Sequence, residues 1–553
     1  MELTANPDWY AVQALPVVGN PSTDDAVAWA TAYYANRLAG VLVEANPAIS
    51  RVFESWKKSG KDQETLMSNL GKNSDLKDLL LTETPWVAEA ADEAEQKRRI
   101  ALLFDLNGMS SRLQQAADKL RTLQLTDGSW SWYKGMKGSR YITTQTVELM
   151  ARLKAMNISL TDGMEAQYGR ALGYLRKEVK KVYEQMRIQE RENNIQVRPD
   201  EQIVKYLYIC ALDETARKQA DKEINTYFLA RLTNCSAECS IYEKSLLAVI
   251  MHAYGQKRQA ELLLQSVKEY MLATPEMGRY FDTSKAGYSW NSYKIPTQVA
   301  AMEAIWRIAP DQHLLGDMKQ WLLKQKQVQV WDTPLATADA VYAFLGMGGN
   351  RLQVSGSLKA RIGLKTLVTP DDALGYVRQT YTGADTEVSR IAVVKSGKGL
   401  SWGAVYAQYL EDMIRVRPFR TNGLGIVREY WLGEEQVSAS TRLKPGDKLT
   451  VRLMVKADRD MDFVQIKDER ASCMEPAVQL SGYHWNGGIG YYQVNKDAST
   501  EFFIDQMRKG TYVLEYTVYL DRPGTYQAGI ATIQSAYAPE FNGHTDGVEL
   551  TIE

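Results

Sequence analysis

One change of hydrophobic period divides this sequence and limits what it can fold into. Up to about Leu345 apolar residues recur every three or four positions, and beyond Gly346-Met347-Gly348-Gly349-Asn350 they recur every second one. One face of a helix repeats about every 3.6 residues and one face of a strand every two. Ile142, Thr146, Leu149, Met150 and Leu153 therefore read as one helix face, as do Leu246, Val249, Ile250 and Ala253. Ala338, Val341, Tyr342 and Leu345 read the same way. Ser240-x-x-Glu243 and Asp162-x-x-Glu165 have the form of capping boxes, which satisfy free backbone donors at helix starts. The first part is expected to be all helix, with a solvated charged helix around Lys177 to Gln202.

The helical part also repeats. Gly128-Ser129-Trp130-Ser131-Trp132 precedes a helix entered through Thr143-Thr144-Gln145, and Gly287-Tyr288-Ser289-Trp290 precedes one entered through Pro296-Thr297-Gln298. Val330-Trp331 leads into Ala336-Thr337-Ala338, about 40 residues after Trp290, the length of one helix–turn–helix unit. A single helical hairpin cannot bury its apolar face, but several closed in a ring can, so an α/α toroid is predicted. Past the glycine-rich break, Leu449, Val451, Leu453 and Val455 alternate with polar neighbours, as do Tyr512, Leu514, Tyr516 and Val518. Turns such as Lys444-Pro445-Gly446-Asp447 and Arg522-Pro523-Gly524 space these strands as in a β-sandwich. The predicted organisation is multidomain, α then β. It places a toroid over 1–347, a small β domain over 348–420 and a terminal sandwich over 421–553.

Composition removes several functions. The 66 basic and 67 acidic residues cancel, which argues against nucleic acid as a partner. No apolar run approaches the ~20 residues of a helical membrane span. Met1-Glu2-Leu3-Thr4 does not open a secretory signal, which suits either a cytoplasmic chain or one cut from a longer protein. Cys210, Cys235, Cys239 and Cys473 are too few for a disulfide scaffold; Cys235 and Cys239 are read as loop thiols, with a local disulfide as the alternative. His252, His313, His484 and His544 are scattered, so neither a metal cluster nor a Ser-His-Asp set is expected. Asp24 and Asp25 could pair as acid and base, but they follow Pro21-Ser22-Thr23 at a helix start, where carboxylates favour the dipole. No catalytic residue, cofactor or small-molecule substrate is assigned. Trp130, Trp132, Trp290 and Trp485 are the candidate interaction-loop residues.

Several strings resemble the alpha-2-macroglobulin family. Asn6-Pro7-Asp8-Trp9-Tyr10-Ala11-Val12-Gln13-Ala14-Leu15-Pro16 looks like the entry to the thioester domain of Bacteroidetes-type members, and Tyr33-Tyr34-Ala35-Asn36 like the sequence after the thioester. Leu123-Gln124 through Trp132 resembles the family's Trp loop, and Trp331 to Leu345 its last helical hairpin. Leu400-Ser401-Trp402-Gly403-Ala404-Val405-Tyr406 looks like the strand returning to the CUB domain; Leu443–Val455, Asp468–Tyr483 and Gly510–Tyr537 resemble the final macroglobulin-like domain.

The resemblance implies a thioester-type toroid, a partial CUB-like domain and a macroglobulin-like sandwich. It also implies a chain excised from a longer protein of the periplasm or cell envelope. Family members with a thioester carry Cys-x-Glu-Gln where this sequence, laid down without a gap, has Asp25, Ala26, Val27 and Ala28. The implied function is an endopeptidase inhibitor that traps noncovalently, directed at host or competitor endopeptidases. The alternatives are a module that docks an envelope protein and, with less support, a toroid enzyme acting on glycans.

Overall fold

In a computed structural model the described residues are 1–45 and 106–553, apart from positions 13, 22, 276, 282–292, 327–329, 332, 348–355, 364, 370–374, 380, 382–389, 398–400, 406–410, 421–422, 439 and 536–540. Trp290 lies outside them. The chain forms two compact units, divided near Val405.

The first unit is built from helices α1 (Trp9–Val12), α2 (Leu15–Val18), α3 (Ala26–Ala45), α4 (Leu106–Leu123), α5 (Arg140–Ala155), α6 (Asp162–Asn193) and α7 (Glu201–Leu212). They are followed by α8 (Glu214–Gln219), α9 (Lys222–Asn234), α10 (Ile241–Ala253), α11 (Lys257–Glu269), α12 (Lys294–Ile308), α13 (Gln312–Lys324) and α14 (Pro334–Leu345). Alternate helices close a ring. α3 packs on α5, α5 on α7, α7 on α10, α10 on α12, α12 on α14, and α14 returns to α3. Of the remaining long helices, α4, α6, α11 and α13 each pack against an inner neighbour, and α9 packs against the outer α6. This is the predicted α/α toroid.

Burial separates the two rings. On α5 every residue from Ile142 to Leu153 is buried, and α14 is buried throughout Ala336–Leu345. A helix covered all round must sit inside other helices. The outer α6 buries only a stripe, including Met164, Tyr168, Ala171, Leu175 and Val179, and leaves its charged face to solvent. Gly128 shows why the Trp loop needs its glycine: its φ is +94°, and a Cβ there would lie 2.4 Å from the Arg170 carbonyl oxygen.

Three local expectations change. The predicted all-helical part includes two short hairpins, Trp130–Ser131 with Gly138–Ser139 and Met271–Thr274 with Gly278–Phe281. The charged stretch Lys177 to Gln202 is not one helix; α6 stops at Asn193 because Asn194 turns left-handed, and α7 begins at Glu201. The Ser240–Glu243 capping box is present, but Asp162 and Glu165 do not form one. The N-cap of α6 is Thr161, whose hydroxyl lies 3.1 Å from the Tyr33 hydroxyl instead of capping its own helix.

An ion pair ties α6 to α9. The Arg231 guanidinium binds Glu190 at 2.6 and 2.8 Å. Hydrogen bonds from Arg231, opposed by partial burial and helped by the Val197 N–H, hold the Glu190 carboxyl down at about 2. A depressed carboxyl stabilises the fold above its unfolded pKa and loses that contribution as pH falls through the folded one. Glu190→Gln should therefore flatten the acid limb of the stability profile between pH ~4.5 and ~2, by on the order of 1 kcal/mol after solvent screening. Urea titrations across that pH range would measure it; an unchanged acid limb would remove Glu190 from the account.

A β region completes this unit. Glu2–Thr4, expected within the helical part, is the central strand between Tyr376–Arg378 and Trp402–Ala404. A second sheet joins Leu358–Ile362 to Lys365–Val368 and Ile391–Lys395. Leu3 and Ala5 share one apolar core with Leu358, Ala360 and Leu367, so the Glu2–Thr4 strand joins β structure that follows the toroid in sequence.

The described part of the second unit is a sandwich of a seven-stranded and a five-stranded antiparallel sheet, with a two-stranded sheet of Gly524–Ala528 and Val548–Ile552 beside them in sequence. Leu449, Val451, Leu453 and Val455 are all fully buried, as their alternation requires. The Lys444-to-Asp447 turn is closed by the Asp447 carboxylate, which accepts the Lys444 N–H at 2.8 Å. Between the sheets Arg428 donates to Asp468 at 2.6 Å and to the Gly529 carbonyl at 2.6 Å, while the Tyr516 hydroxyl donates to Asp468 at 2.8 Å.

Candidate functional site

The start of α3 carries the positions where the resemblance looks for a thioester. Asp25 is buried, and its carboxylate accepts the Ala28 N–H at 3.0 Å and the Thr23 hydroxyl at 2.6 Å. Asp25 therefore acts as a helix cap, satisfying a backbone donor that has no partner within the helix. Val27 is half-buried and Ala28 is buried with a methyl side chain. Asp24 turns outward, where Lys119 binds it at 3.0 Å and the Trp29 indole donates to it at 2.6 Å. Hydrogen bonds from Lys119 and Trp29 hold its carboxyl below the usual range. The two aspartates thus have separate partners and do not form an acid–base pair. Asp25→Ala should cost about 1 kcal/mol of toroid stability while Asp25→Asn costs little. Thermal unfolding of both variants would measure this, and equal losses would disprove capping.

The Trp loop lies against this helix start. The Ala26 N–H donates to the Trp132 carbonyl at 3.0 Å, so the loop and the Asp25-to-Ala28 turn form one surface. Trp132 is 45% exposed and stacks on Tyr133 at 5.8 Å. Trp130, by contrast, is fully buried and cannot be an interaction residue. Its indole donates to the Leu120 carbonyl at 2.9 Å, and its backbone N–H donates to the Thr143 hydroxyl at 2.8 Å. Trp331 repeats the arrangement with Leu322 at 2.8 Å and Thr337 at 3.0 Å. In both repeats the tryptophan joins the end of an outer helix to the start of the next inner one.

A cluster that sequence reasoning missed fills the toroid axis. Glu148 and Arg152 on α5, Lys205 and Tyr208 on α7, Tyr242 on α10, Glu303 and Arg307 on α12, and Asp339 and Tyr342 on α14 are brought together there. Glu148 binds Arg152 at 2.9 Å and Lys205 at 3.1 Å; Arg152 also pairs with Asp339. Glu303 takes Arg307 at 2.7 Å and the Tyr342 hydroxyl at 2.8 Å, and it accepts a short bond from Tyr208. Burial alone would raise Glu148, but Lys205 and Arg152 prevail and hold it ionised. Burial pushes Asp339 up, with Glu148 adding to it and Arg152 opposing. A cavity of about 90 Å³ opens among Gln145, Glu148, Arg152, Lys205, Tyr242 and Asp339. That space is polar and large enough to hold ordered water. The available signal was polar residues within helices that are apolar all round.

Cys239 is buried, Cys235 is half-buried, and both are free thiols. Burial pushes the Cys239 thiol up to about 12, where it stays protonated. Among the described residues no group of three or more His, Cys, Asp or Glu is placed to hold a metal ion. Among the same residues no helix is long and apolar enough to cross a membrane. Trp485 stands on the Gly482–Asn486 strand and is 77% exposed.

The molecule is thus a helical toroid with a small β domain in the same unit, and a two-sheet sandwich as its second unit. Residues 423–540 of the sandwich match the family model described as the bacterial alpha-2-macroglobulin MG10 domain. An alpha-2-macroglobulin homolog of Nostoc sp. is 22% identical over 480 residues, covering 79% of this chain and 23% of the relative. A circularly permutated Ras protein 2 of Dictyostelium discoideum is 25% identical over 172 residues, covering 30% of this chain and 4% of that protein. The chain therefore spans less than a quarter of the curated relatives it matches. The crystal structure of native Escherichia coli alpha-2-macroglobulin from domain MG7 to the C-terminus is 14% identical, with a TM-score of 0.37, covering 100% of this chain and 76% of that one. The sandwich match and the Nostoc relative support a bacterial alpha-2-macroglobulin C-terminal region.

Proposed function

We propose that this chain is the C-terminal part of an alpha-2-macroglobulin-like endopeptidase inhibitor that traps its targets noncovalently, without a thioester. The observation that carries the reading is the match of the sandwich to the bacterial MG10 family model. The thioester-free part rests on the α3 entry. A thioester joins a thiol to a side-chain carboxamide carbon three residues later, and Asp25 and Ala28 supply neither group. Asp25 is also committed to capping, so the helix start is stable without a cross-link. In this reading the toroid is a rigid body whose movement encloses the protease, and no residue performs chemistry. The protein would act in the periplasm or cell envelope.

The test is a trapping assay on the protein in its full natural length, with a broad-specificity endopeptidase. Hydrolysis of a large protein should fall while a small peptide is still cut, because a trapped enzyme stays active but shielded. Pretreatment with methylamine should change nothing, and no adduct should survive denaturing electrophoresis. Unchanged hydrolysis of both substrates would remove trapping from the account. Loss of inhibition after methylamine would remove thioester independence.

A further inference from the structure

Two cysteines stand where helix α9 ends and helix α10 begins. Cys235 is the C-cap of α9, and Cys239 directly precedes Ser240, the N-cap of α10. One 3-10 turn, Ser236–Glu238, joins them. In it Glu238 donates its N–H to the Cys235 carbonyl at 3.0 Å, and Cys239 donates its own to the Ser236 carbonyl at 3.4 Å. The turn doubles the chain back on itself. The Cys239 thiol thereby donates to the Cys235 carbonyl at 3.6 Å and lies within hydrogen-bonding reach of the Cys235 thiol. A disulfide needs its two β-carbons about 4 Å apart. None of Ser236, Ala237 and Glu238 is buried, so the turn can tighten to that distance without disturbing the core.

The two thiols differ in access. Cys239 is 7% exposed, whereas Cys235 is half-buried and meets solvent. Burial raises the Cys235 thiol, with Arg198 opposing. Burial also raises Cys239, with Glu243 and then Cys235 adding to it. Both thiols are therefore mainly protonated near neutral pH. The thiolate is the attacking form in disulfide exchange, so exchange here is slow. Slow exchange suits a cross-link that persists, not a redox catalyst that turns over.

We propose that Cys235 and Cys239 are a modification site, where exchange with an external disulfide joins them in an intramolecular disulfide. Cys235 loses its proton to solvent and attacks one sulfur of the oxidant. A mixed disulfide forms, and the other half of the oxidant leaves and takes up a proton. Cys239 then loses its proton and attacks the Cys235 sulfur, and the second half of the oxidant leaves as a thiol. Two chain thiols are oxidised and one external disulfide is reduced to two thiols. The bond ties the end of outer helix α9 to the start of inner helix α10. This inference does not depend on protease trapping.

The test uses the whole 553-residue chain, reduced and freed of reductant, with oxidised glutathione as the external disulfide. The folded chain is treated, quenched with acid, unfolded and alkylated with N-ethylmaleimide. Labelling should fall from four cysteines to two, Cys210 and Cys473, and the unalkylated mass should drop by two hydrogens. A peptide spanning 235–239 should carry the bond, dithiothreitol should reverse it, and helical circular dichroism should be unchanged throughout. Cys239→Ser should stop at one glutathionyl group on Cys235, while Cys235→Ser should leave the buried Cys239 unmodified. Four labelled cysteines after treatment would overturn the assignment, as would a glutathionyl group retained on Cys235 of the unmutated chain. So would a bond that involves Cys210 or Cys473, or one that forms only when the helical signal is lost. The measurements on the unmutated chain decide the matter even if a serine variant fails to fold.

Discussion

Arg152→Met is expected to destabilise the toroid by about 3–5 kcal/mol, the cost of leaving buried carboxylates without their cation. Arg152 holds Glu148 and Asp339 together in the ring's axis, and its guanidinium lies 5.0 Å from the centre of the Tyr342 ring. Methionine fills a similar volume but answers neither charge. Lys205 still pairs with Glu148 at 3.1 Å, so the larger part of the loss should come from Asp339. Adding Asp339→Leu to Arg152→Met should accordingly recover much of it, since replacing a whole buried pair by apolar groups is often close to neutral. Urea unfolding followed by helical circular dichroism would read both variants. A loss below about 1 kcal/mol for Arg152→Met would mean that solvent screens these charges as it does a surface ion pair.

The second large effect is expected in the sandwich. Arg428→Met should cost a similar ~3–5 kcal/mol, because Asp468 would keep only the Tyr516 hydroxyl and the Gly529 carbonyl would lose a donor. Burial already pushes Asp468 up, with Arg428 as the main opposing influence. Removing Arg428 should raise the carboxyl further, so the variant should become relatively more stable as pH falls and Asp468 takes up a proton. The sign follows from linkage: a carboxyl raised in the folded state binds more protons there than in the unfolded chain. Thermal unfolding of Arg428→Met between pH 4 and 8 should show this dependence, and Arg428→Met with Asp468→Leu should abolish it. A flat profile for the single variant would show that Asp468 is not the group left uncompensated.

Much of the fold was legible because it is written in period. The alternation Leu449-to-Val455 reports one buried face, as expected, whereas the stripe Ile142-to-Leu153 located a helix but not its burial on every side. The Trp130 and Trp331 repeats were legible as strings, but their partners were not. Packing at the hairpin tips is the favoured reading of these tryptophans, with surface contact as the alternative, and the carbonyls of Leu120 and Leu322 show the partners that packing uses. Asp162 failed as a cap for a related reason. Thr161 stands at the N-cap position, and its hydroxyl meets Tyr33, 128 positions away in sequence, instead of capping its helix.

Local pattern and backbone chemistry by themselves determined a helical ring followed by strands, the helix break after Leu345, the Ser240 cap and the absence of a thiol at position 25. Each of these depends on residues within a turn or two of one another. Tertiary structure decided which polar residues are buried. Glu148, Arg152, Lys205, Glu303 and Asp339 come from four helices spread over nearly 200 positions, and their ionisation depends on neighbours that only ring closure supplies. It also decided that Glu2–Thr4 pairs with Trp402–Ala404, since a strand's partner is set by which edge lies open in space rather than by which segment follows in the chain.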